Sequence, residues 1–286
     1  MEFLRLESDD YESALRLARE KWGSAVRVHT RRDIPVARGP ARCEITFYLV
    51  DLSKQVRFDP QEHREKILKA NDIPAGLCAS ADVWASIETM QQAEVEVRLI
   101  EELFTSIDYT AGLGRRFVHL MGAGAAAMAP RLALYHRAKE RKKVAILTLG
   151  SDEPSLVEAA ALYSLPLYHA TGRAEFEALG ETLERYERVV LLAPDDAMRS
   201  LIEGEALTRL LVTDATALER DDADALLVTG LEKAEKIGAL LAYLVQSKVT
   251  FAYTADDEGE VRAADSSALL SRLVGFTLDL EALSFL

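Results

Sequence analysis

Apolar and polar positions along the chain fall into three regimes. Over residues 1–52 they alternate in short runs. Residues 2–6 alternate and predict a strand, 11–21 carry Leu15, Leu17 and Ala18 on one helical face, and Gly23 stops that helix. Residues 25–30 and 44–50 predict two more strands, the second through Ile45, Phe47 and Leu49, with a Pro-, Gly- and Arg-rich loop at 33–40 between them. This is a small β-α-β-β module.

From 53 to 115 the pattern turns helical. A polar linker, 52–60, leads to helices predicted at 62–70, 80–88 and 94–104, the last with Val95, Val97, Ile100, Leu103 and Phe104 at helical spacing. From 116 to 286 short apolar runs alternate with helical patterns. Strands are predicted at 117–121, 144–148, 166–169, 189–192, 210–213, 225–229 and 249–253. The helices between and after them fall at 128–140, 154–163, 175–186, 232–246 and 266–273. Such alternation predicts an α/β domain with a mostly parallel sheet, helices on both faces and right-handed crossovers.

The first strand-turn-helix, 116–150, organises this domain. An apolar strand runs into Gly122-Ala123-Gly124-Ala125-Ala126-Ala127, and Pro130 is expected in the first helical turn, where a missing N–H costs nothing. Folds of this class hold phosphates at such a turn. A working P-loop reads G-x-x-x-x-G-K-[ST], with a Lys on the phosphates and a hydroxyl on magnesium. Here those two positions are Met128 and Ala129. Gly122-x-Gly124-x-x-Ala127 also fits the dinucleotide fingerprint, but the acid expected at the end of the second strand is missing, and small residues closing a helix onto a sheet account for the pattern.

Composition narrows the function classes. The 286 residues carry a net charge of −13, so nucleic acid and anionic lipid are poor default partners. Arg27, Arg31 and Arg32 cluster, as do Arg137, Lys139, Arg141, Lys142 and Lys143, and each cluster reads first as a solvated face. Two cysteines, Cys43 and Cys78, make neither a disulfide framework nor a metal site. No basic-then-apolar leader opens the chain and no apolar run spans a bilayer, so a cytoplasmic protein with at most peripheral membrane contact is expected. His29, His119, His136 and His169 are scattered, without ligand spacing. Ser151, Ser155 and Ser164 lack a nucleophile-elbow context. Asp195-Asp196 and Asp221-Asp222 read as turns or caps, and Trp22 and Trp84 as core.

The order of the three regimes resembles the flagellar signal-recognition-particle-type GTPase FlhF over nearly the whole chain. Two stretches carry the resemblance. Residues 14–32 look like that family's N-terminal module: helix, glycine, then a strand ending in arginines. Residues 227–241 look like its T-K-L-D segment and the helix that follows, with an internal glycine at Gly238; 210–216 resembles the strand before it. The resemblance implies a degenerate SRP-type G domain, a Rossmann-like P-loop fold, preceded by a helical segment and the small module.

The departures fall on every nucleotide motif. The family's K-T falls on Met128 and Ala129, and its magnesium-side segment near 150–153. Its D-T-A-G-R falls on 192–196, with Leu192 in place of the Asp. T-K-L-D becomes Thr229, Gly230, Leu231 and Glu232, and the last base-contacting segment falls near Asp256 and Asp257. Each change removes a cation, a metal ligand or a base contact. Asp152, Glu153, Asp195, Asp196, Asp256 and Asp257 are expected to add negative charge around the mouth, which opposes a triphosphate. The nucleotide positions Gly122, Gly124, Met128, Ala129, Leu192, Thr229, Gly230 and Glu232 are therefore expected to be inactive remnants, with no catalytic residue, no metal and no cofactor.

What the resemblance implies is a non-catalytic scaffold or regulator in flagellar assembly or placement, cytoplasmic or peripheral at the inner membrane or flagellar base. Its partner would be another protein, such as a flagellar placement factor or an intact FlhF-type paralogue, bound through the Arg27–Arg31–Arg32 region or the apolar helices of 61–113; the alternative is that either region simply packs on the G-like domain. The rivals are a GTPase that still binds GTP and magnesium and a nucleotide or NAD-type sensor that does not hydrolyse. The family pairs its G domains head to head around GTP; the altered motifs predict no GTP-dependent dimer here.

Overall fold

The computed structural model describes residues 3–23, 26–34, 42–49, 58–78, 84–109, 113–150, 153–193, 200–202, 206–278 and 280. The chain divides into two compact units, Met1–Phe58 and Asp59–Leu286.

In the first unit, strands β1 (Phe3–Ser8), β2 (Val26–Ile34) and β3 (Arg42–Leu49) form an antiparallel sheet in the order β1-β3-β2. Helix α1 (Tyr11–Trp22) starts where the Asp10 carboxylate accepts the Ser13 amide, and ends at Gly23, whose φ of 69° suits glycine. Period-two alternation puts Cys43, Ile45 and Phe47 on one sheet face, against Ala14 and Ala18 of α1. Most of the expected loop at 33–40 lies outside the described residues; Asp33 and Ile34 still belong to β2.

The second unit begins with α2 (Pro60–Ala70), capped by Asp59, and α3 (Gln92–Phe104). Its sheet contains β4 (Phe117–Met121), β5 (Val144–Leu149), β6 (Leu167–Ala170), β7 (Arg188–Leu192), β8 (Leu207–Asp214), β9 (Ala225–Thr229), β10 (Thr250–Ala255) and β11 (Val261–Ala263). The order is β11-β10-β9-β8-β4-β7-β5-β6, parallel except for the β10–β11 pair. Helices α4 (Ala125–Ala138) and α5 (Pro154–Leu162) pack on one face, over Val118, Leu120, Ile146, Val190, Leu210 and Val212. On the other face, α2, α3, α8 (Gly238–Ser247) and α9 (Ser266–Leu270) cover Leu211, Leu226, Val228 and Phe251. The short α6 (Arg173–Ala178) and α7 (Gly180–Leu183) sit near β6, with Leu183 over Leu147 and Leu191. The apolar faces of α2 and α3 are thus spent on this core. The buried positions of α3 include Glu96 and Leu99, while Val97 is half-buried.

Several expected boundaries move. The helix after the glycine turn begins at Ala125, so Pro130 lies inside it rather than in the first turn and leaves the Ala126 carbonyl without its helical partner. The expected helix at 175–186 is two short ones, broken where Gly180 follows Leu179. The long helix expected at 232–246 is a 3₁₀ turn at Leu231–Lys233 and a helix that starts only at Gly238. There the chain is pulled against the corner after α2: Lys236 pairs with Asp72 at 2.9 Å, and a Cβ on Gly238 would lie 2.1 Å from the Asp72 carbonyl oxygen. Of the helix expected at 80–88, the described part is a turn and a 3₁₀ turn at Ile87–Thr89. Strand β11 was not legible in the alternation of apolar residues.

Candidate functional site

β4 lies between β8 and β7. The chain leaves β4 toward β5 on one side and returns from β7 to β8 on the other, so the order reverses beside β4. Ligands of open α/β sheets bind outside the strand C-termini at such a point.

The glycine turn is built by close approach. Gly122 has a φ of +94°, and a Cβ there would lie 2.3 Å from the carbonyl oxygen of Val212 in β8. A Cβ on Gly124 would lie 2.9 Å from Val212 Cγ1. The Ala125 amide donates to the Gly122 carbonyl at 3.1 Å, and α4 starts with no side chain capping its first amides.

Beside the turn lies a cavity of about 380 Å³, walled by the ends of β4, β5 and β7 and the first turn of α4. Gly122 and Leu192 line it, together with Leu120, Ala126, Thr148 and the carboxylate-bearing Glu153 and Asp221. Among its described lining residues there is no Lys, Arg or His. Met128 and Ala129 do not reach it. They are 9% and 0% exposed and pack with Leu132, Val144 and Leu156 in the core beneath α4.

Thr229, Gly230 and Glu232 do not line the cavity either. Gly230 has a φ of +64°, and a Cβ there would lie 2.7 Å from an Asp214 oxygen. The Thr216 hydroxyl and amide hold that carboxylate and lower its pKa, the amide at 2.7 Å. Lys233, next to Glu232, pairs with Asp257, and Asp256 lies 3.4 Å from Arg262. These two aspartates are therefore committed to ion pairs and do not line the cavity. Asp152, Asp195 and Asp196 lie outside the described residues. Of the six acids expected at the mouth, Glu153 lines it.

Two acids were missed. Asp221 lines the cavity, and a Glu219 oxygen lies 3.3 Å from where a Gly122 Cβ would stand. Both belong to the β8–β9 loop, where the Glu219 amide donates to Thr213 Oγ1 at 2.8 Å. Nothing in the local pattern links that loop to a turn almost a hundred residues earlier; only the β4–β8 pairing does. Thr148 Oγ1 lies 3.1 Å from His169 Nδ1. Among the described residues, no group of His, Cys, Asp and Glu side chains could hold a metal ion, and no helix is long and apolar enough to cross a membrane.

No family model matches this chain, and no curated protein does. Solved structures do. FlhF complexed with GTP and magnesium is 16% identical, superposes with a TM-score of 0.61, and is matched over 76% of this chain and 99% of its own. Chloroplast FtsY from Physcomitrella patens is 15% identical over 74% of this chain and 87% of its own, with a TM-score of 0.57. FtsY from Thermotoga maritima is 17% identical over 75% and 87%, with a TM-score of 0.54. The chain has the α/β fold of the SRP-type P-loop GTPases.

Proposed function

We propose that this protein is a non-hydrolysing relative of FlhF that acts as a scaffold or regulator in flagellar assembly or placement. One observation carries the non-catalytic part: the cavity at the glycine turn has no cationic side chain among its described lining, while the acidic residues Glu153 and Asp221 line it. A triphosphate brings several negative charges and needs a lysine and a metal ion to offset them. The residues present do not fit that ligand. Met128 and Ala129 stand in the core where a phosphate-binding lysine and a magnesium-binding hydroxyl would be needed, and Leu192 offers no carboxylate to a metal shell.

The flagellar assignment is supported by the likeness to FlhF in order of elements and in fold. The partner in this reading is another protein, a placement factor or an intact FlhF-type paralogue, met in the cytoplasm or at the inner face of the membrane. The rival, residual nucleotide binding, is favoured by the uncapped amides at the start of α4, which suit an anion. Phosphate release from GTP by the purified protein tests the non-hydrolysing part. The proposal expects none above buffer; sustained release that follows the protein through purification and disappears in Gly122→Val would overturn it. Co-purification from the native cell tests the flagellar part, which fails if no flagellar component is recovered.

A further inference from the structure

The end of the second unit is fastened in an unusual way. After α9 the chain runs as an irregular segment, 273–278, past α2 and α3. Beyond Leu273, no backbone-to-backbone hydrogen bond holds it among the described residues. Its polar contacts converge on two buried side chains, besides a 3.1 Å bond from Gln92 Nε2 to the Thr277 hydroxyl. Asn71, 1% exposed at the end of α2, accepts the Val274 amide at 2.9 Å and donates to the Val274 carbonyl at 2.9 Å. Glu96, 0% exposed in α3, accepts the amides of Thr277 and Leu278 at 2.8 and 2.9 Å on one oxygen. Its other oxygen accepts the Thr277 hydroxyl at 2.9 Å and lies 2.8 Å from His63 Nε2 and 3.2 Å from Gln92 Nε2.

Beyond the buried Leu273, apolar contact adds little to this. Val274 is 50% exposed, and Gly275, at a φ of +85°, has no side chain to bury; even a Cβ built there would stand 3.8 and 3.9 Å from Ile67 and Ala70. Phe276 and Leu280 are half-buried against the cluster that contains Ile67, Leu99 and Leu103.

We infer that 273–278 is a releasable strap across the α2–α3 pair, with the Glu96 carboxylate as its catch. A fully buried carboxylate on a helix face is costly unless its lone pairs are filled. Here the strap fills most of them, with two consecutive amides and a hydroxyl. Segments that lack ladder hydrogen bonds and bury little apolar surface open locally at far lower free energy than a sheet does. Losing the catch therefore frees the strap without unfolding the sheet, and lifts Phe276 away from the core cluster it packs against. The inference stands apart from the nucleotide site and holds whether or not GTP binds.

Native-state hydrogen exchange of the full chain tests it. In Glu96→Gln, the amides of Val274, Thr277 and Leu278 should exchange at least about tenfold faster, while those of β4 and β7 keep their rates. Thr277→Val, at an exposed position, replaces only the hydroxyl by a methyl group and should move the same amides in the same direction by less. Unchanged strap amides in both variants would overturn the inference. So would a rise of equal factor in strap and sheet, which would mean that Glu96 merely supports the fold as a whole.

Discussion

Gly122 and Val212 stand so close that a Cβ on the first would lie 2.3 Å from the carbonyl oxygen of the second. The turn that would hold phosphate in a GTPase of this fold is kept here by the contact of β4 with β8. Its glycines have a packing role that does not depend on any ligand. Gly122→Val should therefore destabilise the second unit by about 1–3 kcal/mol, from positive φ and the collision with β8. Thermal melting checks this; an unchanged midpoint would mean that the turn relaxes freely.

Restoring the lost motif should not restore the site. Met128 and Ala129 belong to the buried side of α4. Met128→Lys would place a charge at a position only 9% exposed, so the double variant Met128→Lys/Ala129→Thr should melt lower and gain no GTP affinity. Melting and nucleotide titration on the same sample report both outcomes.

Much of this was legible in the sequence. The apolar runs of β4 and β9 set their limits to the residue, because strands buried on both faces read as continuous apolar stretches. The glycine turn and its missing lysine were visible as plain residue identities. Of the acids at the turn and its cavity, Glu153 was legible and the others were not. Asp256 and Asp257 were expected there by alignment but spend their charge on Arg262 and Lys233, whereas Glu219 and Asp221 arrive through strand pairing. Glu96 was equally hidden. On α3 it reads as one more surface charge, and its burial depends on a segment some 180 residues further on. The late start of α8 has the same origin, since only the approach of Gly238 to Asp72 explains it.

Acid should act through the carboxylates that the fold holds ionised. Burial alone would raise the Glu96 pKa, but the amides of Leu278 and Thr277, His63 and the Thr277 hydroxyl outweigh it and bring it below the usual value. A folded pKa below the unfolded one gives stability that is present above the unfolded value, about 4.3, and is lost as pH falls through the folded one. Glu140, lowered to about 2 beside His136 and Lys142, acts in the same sense. Urea melts between pH 7 and pH 3 should show stability falling below about pH 4.5. In Glu96→Gln the fall should be shallower, and an equally steep one would remove Glu96 from the account.

Association should be blind to nucleotide. Two copies meeting at the cavity would bring Glu153 and Asp221 face to face with no bridging triphosphate. Light scattering with and without a non-hydrolysable GTP analogue and magnesium should give one mass. A mass that doubles only with nucleotide would replace the scaffold reading with a switch.

Equilibrium binding of labelled GTP in magnesium reaches the central claim most directly. With no cation and two acidic residues among the described lining of the cavity, no saturable binding is expected up to about 1 mM, which corresponds to less than about 4 kcal/mol of affinity. Saturable binding in the micromolar range, lost in Gly122→Val while the fold persists, would contradict it.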